Sequence, residues 1–216
     1  MDTIRVWDLP TRLFHWLLVA GIGFLWYSGG KGEQLMVWHM RAGYLVLGLV
    51  IFRIIWGLWG SRHSRFTAFL AGPRRTLEYS KALVRGRAPV FTGHNPLGGW
   101  MVMLMLLSLL VQTVTGLFAT DDISLEGPLS NQVGGATARA LTDVHFLNFD
   151  LLLILIVAHV AAVLLHRLLG EPLLVAMLTG RKRVPDKAGP DQAFAPWWRA
   201  LLVALPVAGA IYWLVS

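Results

Sequence analysis

Four histidines lie inside long apolar stretches of this sequence, where ionisable side chains are costly and usually have a function. They are His15, His39, His145 and His159. One such histidine alone is more often a hydrogen-bonded contact between helices than a ligand, so the interpretation depends on the spacing of the set. Imidazole nitrogens suit iron, and two of them on one iron leave no coordination position open. Sites of that kind move electrons.

The spacing sorts the four histidines into two pairs. His145 and His159 are 14 residues apart, so on one helix they are about 21 Å apart along the axis and about 40° apart around it. His15 lies about five residues inside the first apolar stretch and His39 about two inside the second, which separates their depths by about 19 Å in a core of roughly 30 Å. The match predicts two pairs, each bracketing one iron: His15 with His159, and His39 with His145.

Haem is the cofactor that these pairs favour. A structural zinc site gathers four ligands at one place, and no cluster of carboxylates accompanies the histidines. Cysteine is absent, which excludes disulfides, thiolate-bound iron–sulfur clusters and covalently attached c-type haem. Gly43, one helical turn after His39, would leave room for a flat ring, although ordinary helix packing explains such glycines equally well. The other glycines open to both interpretations are Gly21, Gly23, Gly48, Gly98, Gly99 and Gly116.

Three arginines are candidates for pairing with the propionate carboxylates of haem. Arg12 and Arg41 are close in sequence to histidines of the set, and Arg53 lies deep in the second apolar stretch. For Arg53 the alternative is that the side chain extends to the membrane surface. We expect at least one of the three to contact a propionate.

The remaining histidines are expected to have other roles. His166 follows His159 by seven residues on nearly the same face, but its distance of about 31 Å from His145 exceeds the separation of the other pair. We expect it at the interface or near a propionate, with replacement of His159 as the alternative. His63 and His94 are expected to be structural or solvated, His94 because it directly precedes the N-cap and first turn of a helix.

Hydropathy predicts an all-α membrane protein with several spans. Of the 216 residues, 56% are hydrophobic and 14% charged, and the apolar stretches have the length of about 20 residues that a membrane helix needs. Five spans are predicted at residues 10–27, 37–59, 97–118, 144–169 and 197–215. Residues 1–180 would form a four-helix domain for two haems, residues 181–196 a cytoplasmic linker, and residues 197–216 a fifth, C-terminal membrane helix.

The charges predict the orientation of the spans. The net charge is +7, but the basic residues lie in short loops, so topology explains them and nucleic-acid binding does not. The loop after span two and the segment after span four are rich in Lys and Arg, whereas residues 119–143 are acidic. By the positive-inside rule the N-terminus is cytoplasmic and the C-terminus lies outside. The first apolar stretch lacks the features of a cleaved signal peptide and is expected to be retained.

Several short motifs resemble the bacterial cytochrome b561 family, which includes the haem-bearing membrane subunits of nickel–iron hydrogenases. They are VWDLPTRLFHW at residues 6–16, HMRAGY at 39–44, WGSRHSRF at 59–66, GHNPLGG at 93–99 and the histidines at 159 and 166. The resemblance covers nearly the whole chain in order. Phe146 departs from the pattern, in which an acidic residue often follows the histidine, so the surroundings of the outer haem differ in detail.

The resemblance implies a b-type cytochrome of the bacterial inner membrane. It implies two non-covalent b haems in a four-helix core, with ligands at His15, His39, His145 and His159. It also implies exchange of electrons with the quinone pool and a periplasmic redox partner, a c-type cytochrome or a hydrogenase. Membrane lipid surrounds such a protein, and its oligomeric state stays open.

Two other functions remain as alternatives. The first is a quinone-linked oxidoreductase that acts on a small oxidant such as superoxide, although an acidic outer loop does not attract an anion. The second is a histidine-lined metal or proton transporter, which would need more intramembrane carboxylates than the spans contain.

Overall fold

The computed structural model describes residues 2–184 and 194–216. Within these residues the chain is mostly helical, with two short strands. The helices are α1 Leu9–Ser28, α2 Glu33–Trp59, α3 Phe66–Phe69, α4 Pro73–Val84, α5 Pro96–Gly116, α6 Gly135–Leu168, α7 Leu173–Thr179 and α8 Trp197–Val215, and the strands are β1 Asp2–Arg5 and β2 Arg181–Val184.

Five of the helices, α1, α2, α5, α6 and α8, are long and apolar enough to cross a membrane. The prediction of an all-α membrane protein is confirmed. The predicted ends agree within a few residues except at α6, which begins at Gly135 instead of residue 144. Residues 135–143 are too polar for a membrane span, but their alanines favour helix, so they extend α6 by about two and a half turns beyond its apolar part.

The connections between the spans lie at two ends of the bundle. The acidic end consists of residues 29–32 and 117–134. The basic end consists of β1, α3, α4, α7, β2 and the segments that join them. Both α1 and α5 begin at the basic end, and each begins with a side-chain cap and a proline in its first turn, which fixes where the helix starts.

The basic end contains a small antiparallel sheet. Ile4 of β1 lies opposite Lys182 of β2, and the buried residues of this region form an apolar cluster of Ile4, Val6, Trp7, Ala176 and Val184. The segment predicted as a linker from residue 181 therefore begins as part of the folded unit. Four residues of alternating burial in a basic sequence are too short a pattern to indicate a strand. Residues 185–193 of the predicted linker lie outside the described residues.

Asp8 joins the start of α1 to the end of α2. Its Oδ1 accepts a hydrogen bond from the Thr11 amide at 2.8 Å, which caps α1, and its Oδ2 accepts one from the indole Nε1 of Trp56 at 3.1 Å. Asp8 and Trp56 are both buried. The hydroxyl of Ser64 lies 2.7 Å from that of Thr11, so the turn after α2 is tied to the same point.

Helix α2 is the centre of the bundle. Helices α1, α5 and α8 pack against it, and α6 packs against α5. In the described part of the chain α6 packs closely against neither α1 nor α2. The apolar core is formed by Phe14, Leu18, Val46, Val50, Phe52, Trp56, Leu106, Leu109, Leu152, Val203 and Val207, to which α6 contributes Leu152 alone. Among the membrane-spanning stretches of the described residues, the one in α6 is thus the most apolar and the one that neighbouring helices cover least.

Substitution of Asp8 tests the connection between α1 and α2. Asp8→Ala is expected to lower the free energy of unfolding by about 2–4 kcal/mol, because it removes a helix cap and leaves a buried indole N–H without an acceptor. Asp8→Asn keeps an acceptor oxygen and should cost less. The measurement is unfolding of the detergent-solubilised protein by SDS, followed by circular dichroism. Equal midpoints for wild type and Asp8→Ala would contradict the role given to this carboxylate.

Candidate functional site

His15 and His159 face each other although the helices that carry them do not pack closely. Their ring centroids are 6.5 Å apart, with 54° between the ring planes. His15 lies on the second turn of α1, whose position is set by the Asp8 cap. Among the described residues neither ring has a hydrogen-bond partner, and Nδ1 of His15 is enclosed. The structure therefore brings together two imidazoles that form no hydrogen bond with each other.

The distance between these rings fits one metal ion held between them. A metal–nitrogen bond of about 2 Å and about 1.2 Å from nitrogen to ring centre place two opposed ring centres about 6.4 Å apart. A direct hydrogen bond between the rings would place them about 5.3 Å apart. The observed 6.5 Å matches the first arrangement, and the space between α6 and α1 is where a flat ring around the metal would lie.

His39 and His145 lie near each other towards the acidic end. His39 is on the second turn of α2, and His145 is close enough to interact with it electrostatically. On α6 His145 precedes His159 by 14 residues, or about 21 Å. The four histidines are therefore arranged two by two at two depths. Within residues 2–184 and 194–216 no three histidine or carboxylate side chains gather as they would for a multi-ligand metal site.

Hydrogen bonds fix the two rings near the acidic end through their Nδ1 atoms. His145 Nδ1 lies 2.9 Å from the backbone carbonyl of Gln112 on α5. His39 Nδ1 lies 3.2 Å from the hydroxyl oxygen of Ser28, whose own proton is donated to the Phe24 carbonyl at 2.8 Å. Both Nδ1 atoms therefore donate, and Nε2 of each ring is left for a ligand bond, as is usual for metal-bound histidine.

A polar network behind His145 holds α6 against α5. The Asn148 amide donates to the Ser108 carbonyl at 3.0 Å and to the Gln112 side chain at 2.7 Å, and the Ser108 hydroxyl donates back to Asn148 at 3.2 Å. Thr115 Oγ1 lies 3.3 Å from His145 Nδ1. Polar groups inside a membrane protein need such partners. The network fixes the rotation of α6, and with it the direction in which His145 points.

Some of the candidate glycines leave room for a flat ring, and others serve helix packing. A Cβ at Gly43 would meet no atom within 4 Å, so the space beside it is open. A Cβ at Gly116 would lie 3.0 Å from Cε1 of His145, so this glycine lets the ring approach α5. A Cβ at Gly21 would lie 2.9 Å from Val46 Cγ2, which indicates packing of α1 on α2. Packing against side chains or backbone also accounts for Gly48, Gly98 and Gly99, and Gly23 faces open space.

Two of the three candidate arginines already have partners. The guanidinium of Arg12 donates to the backbone carbonyls of Met177, at 3.3 Å, and Leu178. It thereby supplies hydrogen bonds to the last turn of α7. Arg41 is exposed and its guanidinium carbon lies 4.9 Å from the ring centre of Trp38. Neither arrangement needs a bound group.

Arg53 is enclosed by the protein. Its side chain is buried, and its guanidinium carbon lies 5.3 Å from the ring centre of Phe66. Nη1 is enclosed and has no hydrogen-bond partner among the described residues. Of the three arginines, Arg53 is the one with a buried nitrogen that lacks a hydrogen-bond partner among the described residues.

His94 is packed between aromatic rings, and its side chain is half-buried. The ring centroids of Trp7 and Phe69 are 4.7 Å and 4.5 Å from its own. Burial first, and then the positive charge of Arg53 and other nearby basic groups, lower the pKa of His94 to about 3. The ring is therefore neutral, and its enclosed Nδ1 has no partner within the described residues.

His166 is engaged at the basic end and does not face His15. Its Nε2 lies 3.2 Å from the amide nitrogen of Asn95, and its Nδ1 lies 3.9 Å from Glu171 Oε1. Glu171 in turn forms a 2.9 Å ion pair with Lys182. These contacts join the end of α6, the start of α5 and strand β2.

Some residues of the site could not be found by reasoning on the sequence. Ser28 stands at the end of a span, where a serine needs no explanation, and only the fold brings it to His39. Asp8 is an ordinary helix cap in the sequence. His94 had one signal, its place directly before the Asn95 cap, but a position before a helix does not show that the ring is enclosed.

Comparison with protein-family models matches residues 6–180 to prokaryotic cytochrome b561. The match includes α1 to α7 and all four intramembrane histidines. Searches of curated proteins and of solved structures return no match. Members of this family are membrane b-type cytochromes that take part in electron transfer, and paired imidazoles in apolar helices fit the b-type haem that they bind. The chain belongs to the prokaryotic cytochrome b561 family.

Proposed function

We propose that this cytochrome carries electrons between the quinone pool and a periplasmic redox partner, a c-type cytochrome or a hydrogenase, by means of two b haems. His15 and His159 hold one, and His39 and His145 hold the other. The observation that carries the proposal is the 6.5 Å between the ring centroids of His15 and His159, across a space that α6 does not close by packing against α1.

A b haem with two imidazole ligands supplies a one-electron couple and no open coordination position. The residues of the chain therefore bind and orient a redox group, and they present no substrate site at the iron. Gly43, one turn from His39, leaves open space beside the backbone. The two histidine pairs, about 21 Å apart along α6, extend over most of a hydrocarbon core of roughly 30 Å.

The charge distribution supports an orientation in the bacterial inner membrane. Arginine and lysine are concentrated at the basic end, which by the positive-inside rule is cytoplasmic. The N-terminus is then cytoplasmic and the C-terminus periplasmic. A periplasmic partner would meet the acidic end, close to His39 and His145, and a basic surface on that partner would be attracted to it.

Histidine variants test the two pairs through the haem content per chain. Wild type should hold two haems by the pyridine haemochrome assay, and each of His15→Ala, His39→Ala, His145→Ala and His159→Ala should hold one. The double variant His15→Ala/His159→Ala should also hold one, because both changes fall on the same site. The double variant His15→Ala/His39→Ala should hold none.

His166→Ala is the matched control, since this histidine lies on the same helix and should leave two haems. Retention of two haems by His159→Ala together with loss of one by His166→Ala would reject the pairing. A purified wild type without any haem would reject the proposed function.

Fusion proteins test the orientation. Alkaline phosphatase fused after Ser216 should be active, because it folds only outside the cytoplasm, whereas the same enzyme fused after Arg87 should be inactive. A fluorescent protein that folds only in the cytoplasm should give the opposite pattern. The reverse of both results would contradict the proposed orientation.

The hydrogen bonds at Nδ1 predict that the two haems differ in midpoint potential. An imidazole that donates from Nδ1 is the more basic ligand and favours ferric iron. Ser28→Ala removes one acceptor and should raise the lower of the two midpoint potentials by about 20–65 mV, the equivalent of about 0.5–1.5 kcal/mol for one electron. The measurement is a redox titration of the visible bands.

Thr113→Val is the control for Ser28→Ala. Its buried hydroxyl bonds to carbonyls of its own helix and to none of the four histidines, so both potentials should stay within a few millivolts of wild type. An equal shift of both potentials in Ser28→Ala, or no shift, would contradict the assigned hydrogen bond.

A further inference from the structure

Arg53 is a buried charge without a hydrogen-bond partner among the described residues. Its exposed fraction is 3%, and its Nη1 is fully enclosed. Asp8 lies within electrostatic reach, but its oxygens accept from Thr11 and Trp56. A guanidinium has five N–H donors, and leaving them unpaired inside a membrane protein is costly.

The position of Arg53 on α2 places it at the depth of the His15–His159 pair. It follows His39 by 14 residues, the same interval that separates His145 from His159 on α6. Over that interval a helix advances about 21 Å and turns by about 40° beyond whole turns. Arg53 therefore lies on nearly the same face of α2 as His39, and nearer the basic end by the distance that separates the two histidine pairs.

His94 adds a second enclosed nitrogen, its Nδ1, near the same point. Arg53 and His159 both lie within electrostatic range of its ring, as do His63 and Lys182. All of these groups are basic. Of the acidic side chains nearby, Asp8 is occupied as described, and Glu171 is paired with Lys182 at 2.9 Å. The cluster thus has polar nitrogens on Arg53 and His94 that no carboxylate among the described residues contacts by a hydrogen bond.

We propose that Arg53 and His94 bind a carboxylate, and that this carboxylate is a propionate of the haem held by His15 and His159. The proposal rests on the proposed function and assigns its basic-end site a carboxylate subsite. Guanidinium and carboxylate match in geometry and form paired, charge-assisted hydrogen bonds. His94, which lies within electrostatic range of Arg53 and has an enclosed Nδ1 without a partner among the described residues, would contribute one N–H donor.

The test compares haem with haem dimethyl ester, in which both propionates are esterified. The host is full-length His39→Ala, which keeps only the site at the basic end, produced without haem and titrated in detergent by its visible bands. In this host the ester should bind about ten- to a hundredfold more weakly than haem. With Arg53→Gln added, haem binding should weaken by a similar factor, and the preference for haem over the ester should fall to about twofold or less.

Three further variants make the result specific. His94→Gln should reduce the preference partly, because Arg53 remains. Arg65→Gln, at the same end of the bundle, should leave it unchanged, because the Arg65 guanidinium already donates to the Gly60 carbonyl at 2.8 Å. An Arg53→Lys variant that restores part of the preference would separate charge from folding.

Different outcomes would overturn different claims. Equal binding of haem and ester by the His39→Ala host, or a preference that survives Arg53→Gln, would overturn the carboxylate subsite and leave the histidine ligands untouched. If haem and the ester bind equally and added phosphate changes the affinity for both, the Arg53–His94 site would be assigned to a soluble anion instead of a propionate. Failure of the His39→Ala host to bind any haem would contradict the proposed function itself.

Discussion

The space between α6 and the α1–α2 pair is the constraint on which the site depends. If α6 packed against α1 with ordinary side-chain interdigitation, the rings of His15 and His159 would touch or turn aside. At 6.5 Å between ring centroids they do neither. The distance is kept because α6 is positioned from one side by α5, while α5 itself is packed on α2.

Polar contacts make α5 an effective spacer in a medium that offers no hydrophobic force between helices. Asn148 bonds to both Ser108 and Gln112, so α6 is held at one rotation and one height. A shift of one residue would turn every side chain of α6 by about 100°. The face that its two histidines share would then point away from His15 and His39. The Gln112 backbone carbonyl that accepts the hydrogen bond from His145 belongs to the same contact, so this histidine and its support form one unit.

The sequence predicts local features well and features that depend on contacts between distant segments poorly. The spans follow from hydropathy, and the interval between His145 and His159 follows from helix geometry alone. The nine extra residues of α6 escape a hydropathy window because they are polar helix formers. Strand β2 forms because residues 2–5 come to lie beside it, and the enclosure of His94 needs Trp7 and Phe69, which are distant in sequence. The unpaired guanidinium of Arg53 is likewise a property of the packed bundle.

These features together couple the fold to its cofactor. Only the folded chain presents opposed imidazoles, so the free energy of haem binding adds to the stability of the folded state. Helix α6 has the most to gain, because few of its residues are buried by other helices. In the proposed contact, Arg53 would also make haem binding stabilise the folded chain. Its burial without a partner destabilises the bare chain, and a carboxylate delivered with the haem would remove that cost at the step in which α6 is fixed to α1. With the proposed carboxylate bound, the unpaired charge of Arg53 would favour the haem-loaded bundle over the bare one.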